Sequence, residues 1–137
     1  MNIDIEHVKN KVDVVVLRTH GDLDASNYLE LIAKGQAIYQ EGARFLLLDM
    51  IDTPFMSSSG LVALHSLALL MSGQKPADPE AGWEALHAIN QEGGVGFQPH
   101  VKLMNPQARV LRTLERTGLN SFFEIFTDRE AALQSFQ

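Results

Sequence analysis

An α/β fold, with a mixed sheet of four to five strands packed against about four to five helices, follows from three features of the 137-residue sequence. An alternating segment and a β-branched segment stand side by side near the amino terminus, Ile3 to Val8 and Val12 to Leu17. A continuous apolar run, Phe45-Leu46-Leu47-Leu48, follows a stretch of helical periodicity. Beyond residue 100, short apolar runs alternate with cap, proline and glycine signals. Strands and helices in alternation mark a sheet covered by its own crossovers.

The elements are justified in order. Ile3 and Ile5 alternate with polar residues, and Val12 to Leu17 is dense in β-branched side chains. The short polar connector Lys9-Asn10-Lys11 predicts that these strands pair as a hairpin. Gly21-Asp22-Leu23-Asp24 ends the pair, and Asp24 or Ser26 is placed to cap a helix from about Ala25 to Gln40. Tyr28, Leu31, Ile32, Gly35, Ile38 and Tyr39 fall on one stripe of that helix, and Gly42 stops it. The run after Arg44 reads as a strand covered on both faces, joined by a right-handed crossover.

A second helix is expected to begin within the serine run of Phe55-Met56-Ser57-Ser58-Ser59-Gly60 and to continue through Leu61 to Met71, apolar nearly all round. Residues 73–99 break the pattern with repeated proline and glycine. Within them Asp78-Pro79 predicts a capped short helix over Glu80 to Gln91, with Trp83, Leu86 and Ile89 on its buried side. This segment is too short for its own core and reads as an insertion within one domain spanning 1–137. Val101 to Met104 is the next strand, and Asn105-Pro106 then opens a helix with Leu111 and Leu114 inward and Gly118 at its end. Phe123 to Phe126 is the last strand, and Thr127-Asp128-Arg129-Glu130 fits a capping box for a helix from Asp128 to Phe136.

Composition removes several classes of function. The net charge of −6 leaves no basic footprint for nucleic acid. There are no cysteines, so disulfides and thiolate metal sites are excluded. The histidines at 7, 20, 65, 87 and 100 show no metal-ligand spacing, and no metal or other cofactor is expected. Met1 to His7 carries no signal pattern, and the longest strongly apolar stretch, Leu61 to Met71, contains His65 and Ser66 and is too short to cross a bilayer. The expectation is a cytoplasmic protein without membrane contact.

Several of these patterns together resemble the STAS domain family, in its bacterial anti-sigma factor antagonist type. Gly21-Asp22-Leu23-Asp24 and Asn27 are similar to the turn after the family's second strand. Arg44 to Asp49 is similar to its central strand, and Phe55 to Leu61 to its signature of an aspartate, two small hydroxyl residues and a glycine. Leu114-Glu115-Arg116-Thr117-Gly118-Leu119, with Phe122 and Phe126, resembles its carboxy-terminal stretch. The resemblance runs from about Ile3 to Phe136 except 73–99, and it departs from the signature where Ser57 replaces the aspartate.

The resemblance implies a non-enzymatic regulatory module that binds an anti-sigma factor or related serine kinase and so controls transcription. It implies phosphorylation at Ser58, with Ser57 and Ser59 as lesser candidates, and restoration by a serine phosphatase. It implies a contact surface of Asp22, Asp24, Met56, Ser57, Ser58, Ser59 and Gly60. A helix start tolerates such an anion, because unpaired N–H groups and the helix dipole both face it. Read without the family, the serines cap a helix, Asp22 and Asp24 are turn and cap residues, and Asp49 and Asp52 border the next loop.

A phosphorylation-independent scaffold or sensory module is the alternative, motivated by the insertion and the apolar second helix. A homodimer is left open. A hydrolase built on a nucleophile elbow is disfavoured, because Met56 stands where that turn needs its first glycine.

Overall fold

A computed structural model of the chain describes residues 1–74 and 98–136. Five strands form one sheet: β1 (Asn2–Lys9), β2 (Asp13–His20), β3 (Leu46–Asp49), β4 (Val101–Met104) and β5 (Ile125–Phe126). Four α-helices accompany them among the described residues: α1 (Tyr28–Gln40), α2 (Ser58–Met71), α3 (Ala108–Thr117) and α4 (Arg129–Gln134). A 3₁₀ turn, Leu119–Ser121, follows α3. The mixed α/β expectation is met. The expected helix over Glu80 to Gln91, with its Asp78-Pro79 start and Trp83, Leu86 and Ile89, lies outside the described residues, as does His87.

The strands lie in chain order across the sheet. β1 and β2 form the expected antiparallel hairpin, with Asp4 opposite Arg18 and Ile5 opposite Leu17. Every later pairing is parallel, so β2, β3 and β4 point their carboxyl ends to one edge. Alternation along each strand divides the apolar side chains between two layers. Val15, Leu17, Leu46, Leu48 and Leu103 pack with Leu31 and Ile38 of α1, Leu61 and Leu64 of α2, and Leu114 of α3. On the opposite face Val14, Val16, Leu47 and Met104 meet Ala132 of α4 and Phe136. Each residue of β3 is buried, as a strand covered on both faces must be.

Several boundaries shift for identifiable reasons. α1 begins at Tyr28 rather than near Ala25, because Asp24 and Asn27 fold the preceding residues into a turn. α3 begins at Ala108, two residues past Pro106: Asn105 takes a left-handed φ of 54° and Gln107 becomes the cap residue. Its buried face is Val110, Thr113 and Leu114, with Leu111 only partly covered. Gly118 ends it as expected, at a φ of 80° that suits a residue without Cβ. The last strand is shorter than Phe123 to Phe126, because Phe123 turns fully into the core. α4 is capped by Asp128, not Thr127, and ends at Gln134.

Candidate functional site

The site stands at the carboxyl edge of β2 and β3, where two loops run together. β2 ends at His20 and the chain turns at Gly21, while β3 ends at Asp49 and leads towards the serine run. Main-chain bonds join the two loops. The Gly21 N–H donates to the Asp52 carbonyl (2.9 Å), Leu23 N–H to Phe55 O (3.0 Å), and Ser57 N–H to Leu23 O (2.9 Å). Leu23 and Met56 thus form a one-residue parallel bridge, and both side chains are sealed in the core beneath it. The aspartate turn and the serine turn are hydrogen-bonded into one unit.

Gly60 lets this happen. A Cβ there would stand 2.3 Å from Met56 Cγ and 3.0 Å from Leu23 O, inside contact distance. Met56 and Gly60 were expected in the contact surface, and the structure corrects this. Both are buried, so they hold the turn from below rather than face a neighbour.

The serines differ in surroundings. Ser58 is exposed and is the first residue of α2, whereas Ser57 and Ser59 are half-buried. Ser57 is the cap residue in extended conformation, yet its side chain makes no capping bond. Its Oγ is enclosed and has no partner among the described residues. No acidic residue lies in the first turn of α2. The helix start therefore keeps its partial positive charge unanswered by any capping side chain of its own.

The aspartate turn is fixed by its own polar groups. Asp24 Oδ1 accepts from the Ser26 hydroxyl (2.5 Å) and the Ser26 N–H (2.9 Å). Those two bonds, the hydroxyl's first, hold the Asp24 carboxyl below the usual carboxylate value. Asn27 closes the turn, accepting from Asp24 N–H (2.9 Å) and donating to Asp22 O (2.7 Å). Asp24 thus organises the turn rather than capping α1 directly. Asp22 is exposed beside it.

Behind the turns lies a polar brace of which sequence reading singled out only Asp49. Asp49 is buried, and its Oδ2 accepts from Arg18 Nε (2.9 Å) and lies 2.8 Å from Arg18 Nη2, while Oδ1 accepts from Ile51 N–H (3.1 Å). Hydrogen bonding to Asp49, then the charge of that carboxylate, raises the Arg18 pKa above the ordinary guanidinium value. Thr53 and Thr19 hydroxyls meet at 2.5 Å in the core, and Thr53 also donates to Thr19 O (3.1 Å). Gln107 Nε2 donates to Ile51 O (2.6 Å), and the Arg109 guanidinium sits 5.0 Å from the centre of the Phe55 ring. Apart from Asp49 and Ile51, the partners are 31 to 56 residues apart, and nothing in their local pattern announces them.

Among the described residues no three His, Asp or Glu side chains gather in a way that could hold a metal ion. No helix among them is long and apolar enough to cross a membrane. His100 stacks on Phe45 (centroids 5.4 Å apart), and its Nδ1 lies 3.0 Å from Arg44 O.

A family model for the STAS domain matches residues 4–72. No curated protein matches the chain. Among solved structures, a candidate anti-sigma factor antagonist from Thermotoga maritima superposes with a TM-score of 0.70 at 17% identity, over 96% of this chain and 92% of that one. An anti-sigma factor antagonist from Mycobacterium paratuberculosis gives 0.62 at 18% identity, over 98% and 93%. The unphosphorylated form of the anti-sigma factor antagonist SpoIIAA gives 0.59 at 21% identity, over 97% and 95%. At such identities the likeness establishes a shared fold.

Proposed function

The chain belongs to the STAS domain family, and from that premise we propose that it is an anti-sigma factor antagonist, a non-enzymatic module that controls transcription in the bacterial cytoplasm by binding an anti-sigma factor or related serine kinase. Residues 1–137 act as one domain in this reading, with 73–99 as its insertion. The contact surface is formed by Asp22, Asp24, Ser57, Ser58 and Ser59 of the fused loops, with Ser58 the exposed serine and Met56 and Gly60 supporting them. A kinase phosphorylates Ser58 and a serine phosphatase reverses it.

One observation carries the reading: Ser58 is the exposed residue of the serine run and opens a helix that no side chain caps. A phosphate there adds a charge of roughly −1.5 to −2. The helix start accommodates the anion with little change in fold. A partner packed over the turn has to desolvate the same dianion beside Asp22 and Asp24, which ends the complex.

Recovery of the anti-sigma factor on immobilised protein tests this. Ser58→Asp is expected to weaken binding at least about tenfold, or about 1.4 kcal/mol. Ser58→Ala is expected to bind as wild type and to resist phosphorylation, read by intact mass on protein from its native host. Equal recovery with wild type and Ser58→Asp removes the turn as the switch.

A second reading, a scaffold or sensory module without phosphate chemistry, draws on Ser57. The family's aspartate is missing, and the hydroxyl in its place is enclosed. An unphosphorylated native protein whose mass in solution is that of a homodimer, and that reverts to monomer when 73–99 is deleted, favours this reading.

A further inference from the structure

We propose that His20 is a proton-operated latch that ties the β1 edge of the sheet to the loop leaving β3. The imidazole lies between two carboxylates carried by different elements. Its Nε2 is 2.8 Å from Asp4 Oδ2 on β1, and its Nδ1 is 3.1 Å from Asp52 Oδ2 in the loop. An ionised carboxylate only accepts hydrogen bonds, and a neutral imidazole has one N–H and one lone pair. A neutral ring therefore satisfies one aspartate and turns its lone pair on the other. Only the imidazolium answers both, donating to Asp4 and standing as a positive charge 3.1 Å from Asp52.

The other charges nearby are already paired. Arg18, two residues back on the same face of β2, is committed to Asp49 at the end of β3. The amino-terminal ammonium is taken by Glu30, and Arg129 of α4 by Glu6 of β1. The residue reaching in from the start of α3 is the uncharged Gln107. Asp4, Asp49 and Asp52 thus stand against Arg18 alone until His20 takes a proton. The ring is 34% exposed, so protons exchange with solvent freely. Histidine is the side chain whose ordinary charge change falls between about pH 5 and 8.

The latch matters because of where Asp52 lies. Its carbonyl receives the Gly21 N–H, the first of the bonds that splice the two loops, and its neighbour Ile51 is exposed. Protonation fastens the Asp52 side chain to β1 through one ring. Deprotonation leaves one of the two carboxylates facing a lone pair, and the tie between β1 and the loop is broken.

NMR on the isolated wild-type chain between pH 5.5 and 8.5 tests this, whether or not Ser58 is a switch. The amide signals of Asp4, Gly21 and Ile51 are expected to shift with the midpoint of the His20 ring signals. In His20→Gln the shared shift is expected to vanish. Amides that stay still while the wild-type His20 ring titrates overturn the proposal. So does the same shared shift surviving in His20→Gln.

Discussion

The starts of α2 and α4 are built alike and finished differently. Each follows a cap residue in extended conformation, Ser57 for α2 and Asp128 for α4. At α4 the Asp128 carboxylate accepts from Glu130 N–H (3.1 Å), closing the first turn. At α2 the cap side chain makes no such bond. The closed helix has 6 residues and the open one 14. A short helix that buries only Ala132 depends on its cap. α2 is held by burial along nearly its whole length, from Gly60 to Met71, so its first turn does not depend on a cap.

Four changes probe this contrast, from the largest expected effect to the smallest. Gly60→Ala forces a Cβ against Met56 and the Leu23 carbonyl. It is expected to cost about 2–3 kcal/mol in urea unfolding and to shift the amides of residues 22–24, because overpacking a filled site has that scale. Asp128→Ala removes a working cap and should cost about 1 kcal/mol in the same assay. Ser57→Ala should change stability by less than about 0.5 kcal/mol, because the enclosed hydroxyl has no described partner to lose. If Ser57→Ala costs as much as Asp128→Ala, the two starts are equivalent after all.

The fourth probe is pH. Asp24 has its carboxyl held low by Ser26. A depressed folded-state value means that the turn's contribution is fully present above the ordinary carboxylate value of 3.8 and is lost as pH falls through the lower, folded value. The stability difference between wild type and Asp24→Asn is therefore expected to be constant from pH 7 down to about 5 and to shrink in more acid solution.

Local patterns in the sequence disclosed the elements well where one side-chain periodicity decided them. The hairpin, the buried run of β3, the stripe of α1 and the serine start of α2 all follow from neighbours in the chain. Boundaries slipped where a turn competed with a helix. Asn27 spends its amide on Asp24 and Asp22 rather than capping α1, and Asn105 leaves the helical region just before a proline that looks like a first helical residue. The site was half legible. The exposed serine and the aspartate turn could be found from motif and spacing, but the burial of Met56 and Gly60 depends on the Leu23 loop lying across them. The Thr19–Thr53 pair was invisible for a related reason. Threonine in a β-branched strand reads as a strand former, and its partner is 34 residues away.

The splice between the aspartate and serine turns is made of amides and carbonyls, with Leu23 and Met56 anchoring it out of sight. Main-chain bonds are indifferent to which side chains stand above them. Asp22, Ala25 and Ser58 can therefore be exchanged with small folding penalties while the platform underneath stays the same.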